Sequence, residues 1–549
     1  MTLSLIAALL GVSVCCAQAS VTPPRVTIKN GTYTGIKNSF FGQDMFLGMP
    51  FAQPPVGDLR LRAPLSVNTS WEGTRTANQY SSICPGYCTN TCDNAGYPQS
   101  ENCLTVNVVR PSTVSEGSNV GVVQWVYGGG YQMGSSWDIR HNCSWFVQRS
   151  VEMNDPVVFV TFNYRAAAFG FLDSQEVRDE GVTNIGLLDM RLAMHWVQEN
   201  IAAFGGDPTK VTIMGESAGA MAIAAHLTAF GGRDDGLFRA AILESGSPTT
   251  ENFLDVNQTQ PLYDAIVEKA GCANATDTLS CLRTVPYETF YAAANDSHQW
   301  QPTLDGTFLG PEYPTQALQE GKYVKVPLLM GSNTDECTSF AQYGIESTEQ
   351  LAAALAANYP RLSNASIAHI IDLYPNIPAL GCPYGSGDGL LPSGYLDKQS
   401  AAIFGDILMV SGIRFFAQVA SQTQPVWKYR FNQIPINYTM AGVSLMHYVE
   451  VAYVYSNQLA VDANPLGTRP NDLALANLMT SMWISFVNNL DPNYSQVEGA
   501  PFWPSYSSLS SPKNLVFQDN WLGTSYVEFD NWREEGIAFI NSLGPELQH

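Results

Sequence analysis

Histidine is scarce: the 549-residue chain holds seven. Any reaction that needs an imidazole therefore has few places to find one. Positive charge is short as well, with 27 Lys and Arg against 49 Asp and Glu and a formal net charge of −22. So acidic a surface repels phosphate backbones and anionic headgroups. Nucleic acid is excluded as a partner on that ground, and strongly anionic substrates are disfavoured. Beyond the N-terminus no stretch reaches the roughly 20 uninterrupted apolar residues that a spanning helix needs, so stable membrane insertion is not expected. Gly544-Pro545-Glu546-Leu547-Gln548-His549 carries no hydrophobic tail, which argues against a GPI anchor. Internal repeats, low-complexity tracts and an interdomain linker are also missing.

What is present begins with an apolar run from Leu3 to Cys16, followed by Ala17-Gln18-Ala19. No Lys or Arg precedes the run. The run and its small-x-small site predict a signal peptide over 1–19 and a secreted chain from residue 20. Asn-x-Ser/Thr acceptors at Asn30, Asn68, Asn142, Asn257, Asn274, Asn295, Asn364, Asn437 and Asn493 agree with export. Beyond the signal stand Cys84, Cys88, Cys92, Cys103, Cys143, Cys272, Cys281, Cys337 and Cys382, an odd number. At least one is free or pairs between chains. Close spacing favours Cys272–Cys281, and Cys103 is expected to pair with Cys84, Cys88 or Cys92. The C-x3-C-x3-C run with no nearby His is a poor zinc site in an oxidising compartment. No metal and no cofactor is expected.

One stretch organises the rest. Val211 to Met214 is a short β-type run, Gly215-Glu216-Ser217-Ala218-Gly219 interrupts it, and an Ala-rich helical pattern follows at once. Strand, tight turn and helix around G-x-S-x-G make a nucleophile elbow, in which a strained turn projects the serine hydroxyl from the end of a sheet. Gly215 and Gly219 let strand and helix approach, and the helix start aims N–H groups beside the serine.

Around it, strand patterns alternate with helical ones. Val26–Asn30 and Thr32–Ile36 read as an opening meander, and residues 48–57 as too rich in Pro and Gly for regular structure. Strands are predicted at Thr105–Val109, Val120–Tyr127, Val157–Tyr164, Arg239–Leu243, Val326–Met330, Trp427–Phe431 and Leu515–Gln518, and a helix over Leu187–Ile201. The alternation predicts an α/β fold with a mostly parallel central sheet flanked by helices. Glu251–Tyr323 and Ser347–Gly412 read as helical insertions that cap it. Residues 20–549 read as one domain.

A serine hydroxyl is a poor nucleophile until a base takes its proton. In elbow proteins the chain order is nucleophile, acid, base. His141 and His195 precede Ser217. His226 lies on the helix after the elbow, His298 in a sequon loop, His369 in a helical pattern, and His549 at what reads as a frayed terminus. His447 remains. The acid belongs on a loop at a strand's carboxyl end between Ser217 and His447. Glu336 fits, Asp335 is its neighbour, and spacing does not separate them. Gly128-Gly129-Gly130, after a buried strand, is the glycine turn expected to supply the second oxyanion donor.

These residues resemble the type-B carboxylesterase/lipase family, the α/β-hydrolases that include cholinesterases and secreted fungal lipases. The phrases carrying the likeness are G-M-P-F-A-Q-P-P-V-G-D-L-R from Gly48, S-E-N-C-L-T-V-N-V from Ser100, Y-G-G-G-Y from Tyr127 and N-Y-R-A-A-A-F-G-F-L from Asn163. They continue with N-I-G-L-L-D-M-R from Asn184, F-G-G-D-P-T-K-V-T-I-M-G-E-S-A-G-A from Phe204, D-E-C-T from Asp335 and H-Y-V-E-V-A-Y-V-Y from His447. The resemblance runs from about Pro24 to Trp532. It implies Ser217 as nucleophile, His447 as base, Glu336 rather than Asp335 as acid, and Gly129, Gly130 and Ala218 as oxyanion donors. It also implies Cys84–Cys103 and Cys272–Cys281 disulfides. Three positions depart from the family: Cys337 and Tyr448 stand where Gly is usual after the acid and after the base, and Tyr131 where Phe is usual. A Cys337–Cys382 bond is a further candidate.

The expected function is a secreted serine carboxylesterase acting on small-molecule esters through an acyl-enzyme. A triacylglycerol or sterol-ester lipase of the same family is the alternative. In family lipases the loop closed by the first disulfide is an amphipathic lid, whereas Pro85–Asn102 is short and polar, which favours soluble esters. That loop also has no Trp for stacking a choline cation, which argues against a cholinesterase. Silent adhesion proteins of this fold usually lose a member of the triad, and here all three are present.

Overall fold

The computed structural model describes residues 22–88, 92–295, 300–435, 447–458, 466–507, 511–520 and 522–549, with residue 337 described by its backbone alone. In chain order the strands are β1 (Arg25–Ile28), β2 (Gly31–Thr34), β3 (Ile36–Asn38), β4 (Gln43–Pro50), β5 (Thr74–Thr76), β6 (Thr105–Pro111), β7 (Val120–Val126) and β8 (Val157–Phe162). They continue with β9 (Gly206–Glu216), β10 (Ala240–Glu244), β11 (Leu328–Asn333), β12 (Val426–Phe431), β13 (Lys513–Asn520) and β14 (Gly523–Phe529).

Runs such as Val157–Phe162 and Ala240–Glu244 are buried at every residue, so they need cover on both faces. They find it inside an 11-stranded sheet of order β14-β13-β12-β11-β10-β9-β7-β8-β6-β4-β3. From β13 through β12, β11, β10, β9 and β7 to β8, neighbouring strands are parallel. The pairings outside that block, β13–β14, β8–β6, β6–β4 and β4–β3, are antiparallel. β1, β2 and β5 form a separate three-stranded sheet.

Parallel neighbours require crossovers, and the helices supply them. Ile185–Asn200 leads into β9 through a 3-10 turn that Gly205 ends at φ +90°. Ala218–Gly232 follows β9, regular until a break at Ala229–Gly231. Both predicted insertions are helical. The first contains Val256–Lys269, Thr278–Thr284, Tyr287–Ala294 and Pro314–Gln319. The second contains Thr348–Asn358, Asn364–Leu373 and Asp397–Gly405, and the helix Ser411–Ala420 begins at its end. It builds its own apolar cluster, including Leu351, Leu355, Ile370, Ile403 and Ile540. Among the described residues one helical run, Asp397–Ala420, is long and apolar enough to cross a membrane; 83% of its apolar window is buried inside the protein, which makes it a core helix.

The family phrases prove to be joints. Arg60, which ends the first phrase, makes a buried two-toothed pair with Glu101 of the second at 2.5 and 2.8 Å. It also donates to the Leu282 and Val285 carbonyls. Arg165 of N-Y-R pairs with Asp189 of the L-L-D-M phrase at 2.7 and 2.8 Å, both buried. Cys84–Cys103 and Cys272–Cys281 are disulfides, and Cys88–Cys92 is a third. The sulfurs of the C-x3-C-x3-C run are thus all taken up in disulfides, Cys84 with Cys103 and Cys88 with Cys92. Cys143 is free and buried, and Cys382 is disulfide-bonded. The Cys337 side chain, the predicted partner of that bond, lies outside the described residues, as do residues 1–21.

Four expectations need correction. Residues 48–50, expected to be irregular, end strand β4, where a register shift between Phe46 and Met49 takes in Gly48 and Pro50 pairs with Thr105. The strand expected to stop at Gly331 runs on to Asn333, because β12 pairs with it residue for residue to Phe431. β14 was not foreseen. The terminus expected to fray is buried: Thr315 N–H donates to the His549 carbonyl and Gln548 Nε2 to the Phe253 carbonyl.

Candidate active site

Ser217 sits between β9 and its helix at φ +56°, ψ −131°. A serine held there costs about 1–3 kcal/mol of backbone strain, and packing must hold it. It does. A Cβ on Gly219 would lie 2.1 Å from the Val126 carbonyl oxygen, and one on Gly128 would lie 2.9 Å from Ser217 Cβ. The glycine turn after β7 is therefore in contact with the elbow. Gly129 and Gly130 follow at φ +96° and +62°. Ala218 is the first residue of the helix, where N–H groups have no intrahelical acceptor. Gly129, Gly130, Ala218 and Ser217 are thus brought to the carboxyl ends of two adjacent parallel strands.

The candidate acid and base follow β11 and β12 in the chain. Glu336 opens a 3-10 turn just beyond β11. Its Oε2 lies 2.6 Å from His447 Nδ1. Its Oε1 accepts from Ser245 Oγ at 2.5 Å and from the Asn333 N–H at 2.7 Å. Both oxygens are engaged, so the carboxylate has one orientation and presents it to the imidazole. Asp335, equally buried, turns the other way and accepts from the Tyr384 N–H at 2.8 Å. The geometry separates two residues that spacing did not.

His447 Nε2 faces the elbow, 3.2 Å from Glu216 Oε1, the residue before Ser217. Among the described residues it makes no hydrogen bond. The Phe340 ring walls the imidazole edge-on at 5.0 Å. Burial pulls the His447 pKa down, but the Glu216, Glu336 and Glu450 carboxylates outweigh burial and raise it to about 9. Burial pushes Glu216 well above the usual carboxylate range, with Glu450 and Glu336 adding to the rise. Glu450, itself buried, is raised to about 7, by burial first and Glu336 second.

Glu450 is the participant that sequence reasoning missed. Its Oε2 accepts from Asn333 Nδ2 at 2.5 Å, and its Oε1 lies 3.4 Å from Ser245 Oγ. Ser245 and Asn333 were missed with it. The available signal was an acidic residue three after the histidine in an otherwise apolar phrase.

The other histidines sit elsewhere. His226 is buried edge-on against Phe308 at 5.3 Å, with both nitrogens unbonded, and burial lowers its pKa to about 3. His369 packs on Phe539. His141 bonds Tyr448, and His298 lies outside the described residues. No group of three or more His, Cys, Asp or Glu among the described residues could hold a metal ion.

The loop of the first disulfide is fastened down at described residues on both sides, at Gly86 and Tyr87 and at Asn94. Tyr87 N–H donates to the Gln132 carbonyl at 2.9 Å and Gly134 N–H to Asn94 Oδ1 at 3.0 Å. Tyr291 holds the same stretch twice, its carbonyl accepting from the Tyr87 hydroxyl at 2.7 Å and its hydroxyl donating to the Gly86 carbonyl at 2.9 Å.

Comparison with known proteins places this arrangement. Residues 22–520 match the family described as the carboxylesterase family. The chain is 34% identical to secreted lipase 1 of Botryotinia fuckeliana over 92% of each chain. It is 32% identical to lipase 4 of Diutina rugosa, covering 93% of this chain and 95% of that one. Among solved structures, EstA of Aspergillus niger superposes with a TM-score of 0.83 at 31% identity, covering 96% of this chain and 99% of that one. A pNB esterase superposes with a TM-score of 0.75 at 29% identity over 94% of this chain and all of the other. The family match spans every strand of the mixed sheet but β14, together with the elbow and Glu336, and on it the chain belongs to the carboxylesterase family.

Proposed function

We propose that the protein hydrolyses carboxylic esters through an acyl-enzyme on Ser217. His447 takes the Ser217 proton as the hydroxyl attacks the ester carbonyl, and Glu336 fixes the imidazole and balances its charge. N–H groups of Gly129, Gly130 and Ala218 receive the oxyanion. The alcohol leaves with the proton from His447, and water repeats the sequence. The observation that supports this best is the 2.6 Å contact between Glu336 and His447 Nδ1, with Nε2 left unbonded beside the elbow. For attack, Nε2 turns from Glu216 to the adjacent Ser217. S217A should cut turnover of a simple aryl ester below about a thousandth of wild type; more than that, or no covalent labelling by an organophosphonate, overturns the assignment.

Soluble esters are the preferred substrates on this reading. The fastened, polar loop of the first disulfide supports it, since a lid must leave its place to expose an apolar face. The names of the relatives favour the second reading, a lipase. Rates on monomeric and emulsified forms of one ester decide: a jump on emulsion supports the lipase. We also propose that residues 1–19 are removed, that the protein is secreted, as the relatives' names say of them, and that 20–549 act as one domain. N-terminal sequencing of the exported protein tests the cleavage.

A further inference from the structure

The residue after the base holds a backbone conformation that the triad does not explain. Tyr448 has φ +79°, where a side chain is disfavoured and glycine is at ease. Such a conformation persists only where its surroundings over-determine it. Here the phenol oxygen is 2.6 Å from His141 Nε2. The Arg140 guanidinium lies over the ring, 4.9 Å from its centroid. Arg140 is in turn held by Asp138, at 2.9 and 3.0 Å from its Nε, and by Asp93 at 2.8 Å. From the other side, Asn457 Nδ2 donates to the Ile139 and Arg140 carbonyls at 2.9 and 3.2 Å. Burial lowers the His141 pKa to about 4 and raises that of Tyr448, so the phenol–imidazole bond is a neutral one that persists as pH changes.

This dock has a place in the site. Residues 139–141 belong to the segment that follows the glycine turn of 128–130. Tyr448 is covalently next to His447, whose Nδ1 is fixed by Glu336 and whose Nε2 is unbonded. A glycine at 448 would leave the base's backbone free to rotate; the tyrosine removes that freedom.

We propose that Tyr448 is a positioning residue: its phenol, docked on His141 and Arg140, ties the backbone of His447 to the segment behind the glycine turn and keeps the imidazole beside the elbow, from where Nε2 turns to Ser217. The inference rests on His447 being the base.

The test compares Y448F, H141A and the double variant on a soluble aryl ester, with active sites counted by an organophosphonate burst. Y448F and H141A should each lower kcat per titrated site, and the phosphonylation rate, about tenfold, with KM within about twofold. The double variant should be no slower than either single one, because both remove the same bond. Full kcat in Y448F, a loss confined to KM, a loss that vanishes when counted per active site, or additive losses in the double variant overturns the proposal. Should H141A fail to fold, Y448G serves beside Y448F: it frees the backbone and should be slower per site, and a wild-type rate overturns the proposal. H447A separates the two levels. An inactive H447A with a full-rate Y448F sinks only the positioning role, whereas an active H447A sinks the base assignment and this role with it.

Discussion

His447 Nε2 lies 3.2 Å from Glu216 Oε1, so the group expected to deprotonate Ser217 rests against the carboxyl of the residue just before it. The imidazole must be neutral to accept a proton. The carboxylates around it raise its pKa from 6.5 to about 9 and so keep it charged. The acidic limb of the kcat/KM profile should therefore lie above the ordinary histidine range. E216Q removes the first-named carboxylate and should move that limb to lower pH, as a pH–rate profile on a neutral ester will show. The same shift bears on stability. The raised pKa stabilises the fold fully below about pH 6.5, and that contribution is lost as pH rises through about 9. Thermal melts across this window should show the decline, and E216Q should flatten it.

Ser245 holds Glu336 from the side opposite the imidazole, with Asn333 beside it. S245A leaves one carboxylate oxygen a donor short. A bond to a charged group is worth about 1.5–3 kcal/mol, so kcat should fall by roughly ten- to a hundredfold while KM changes little. Steady-state kinetics on S245A and on S245T, which keeps the hydroxyl, checks this.

The Arg165–Asp189 pair carries stability rather than chemistry. Both groups are buried and bonded at two points, so removing one strands the other's charge. D189N or R165M should cost about 3–5 kcal/mol, read as a lower denaturation midpoint. A double change to apolar residues of similar volume should cost less than either single one.

Glycan occupancy should follow the amide's freedom. Asn493 Nδ2 donates to Asp491 Oδ1 and the Trp503 carbonyl, and Asn30 Nδ2 to the Val67 and Thr69 carbonyls. Asn68, Asn257, Asn274 and Asn364 are exposed. Glycopeptide mapping of the secreted protein should find glycans on the exposed set and neither Asn30 nor Asn493 occupied.

The elbow was legible because its pattern is local: strand, turn and helix lie within sixteen residues, although Gly219 answers to the Val126 carbonyl of a strand some ninety residues earlier. By spacing Glu336 was legible only as one of two neighbours, because adjacent residues on a turn face opposite ways and spacing carries no direction; the family resemblance pointed to Glu336. Glu450 was not legible at all. Its role comes from Asn333 and Ser245, which reach it from the ends of two other strands, and no periodicity encodes that meeting. β14 escaped for a different reason. It closes the sheet with no face wholly buried, so nothing forces its residues to alternate. The chain end was misjudged because position alone suggested fraying, whereas burial and backbone bonds decide it.

The bonds from the Tyr87 hydroxyl to the Tyr291 carbonyl and from the Tyr291 hydroxyl to the Gly86 carbonyl fix the wall beside the glycine turn before any substrate arrives. On the soluble-ester reading nothing there has to be opened by a droplet or a bilayer. Product should accumulate linearly from the moment of mixing, and an initial lag would mean that this wall gives way.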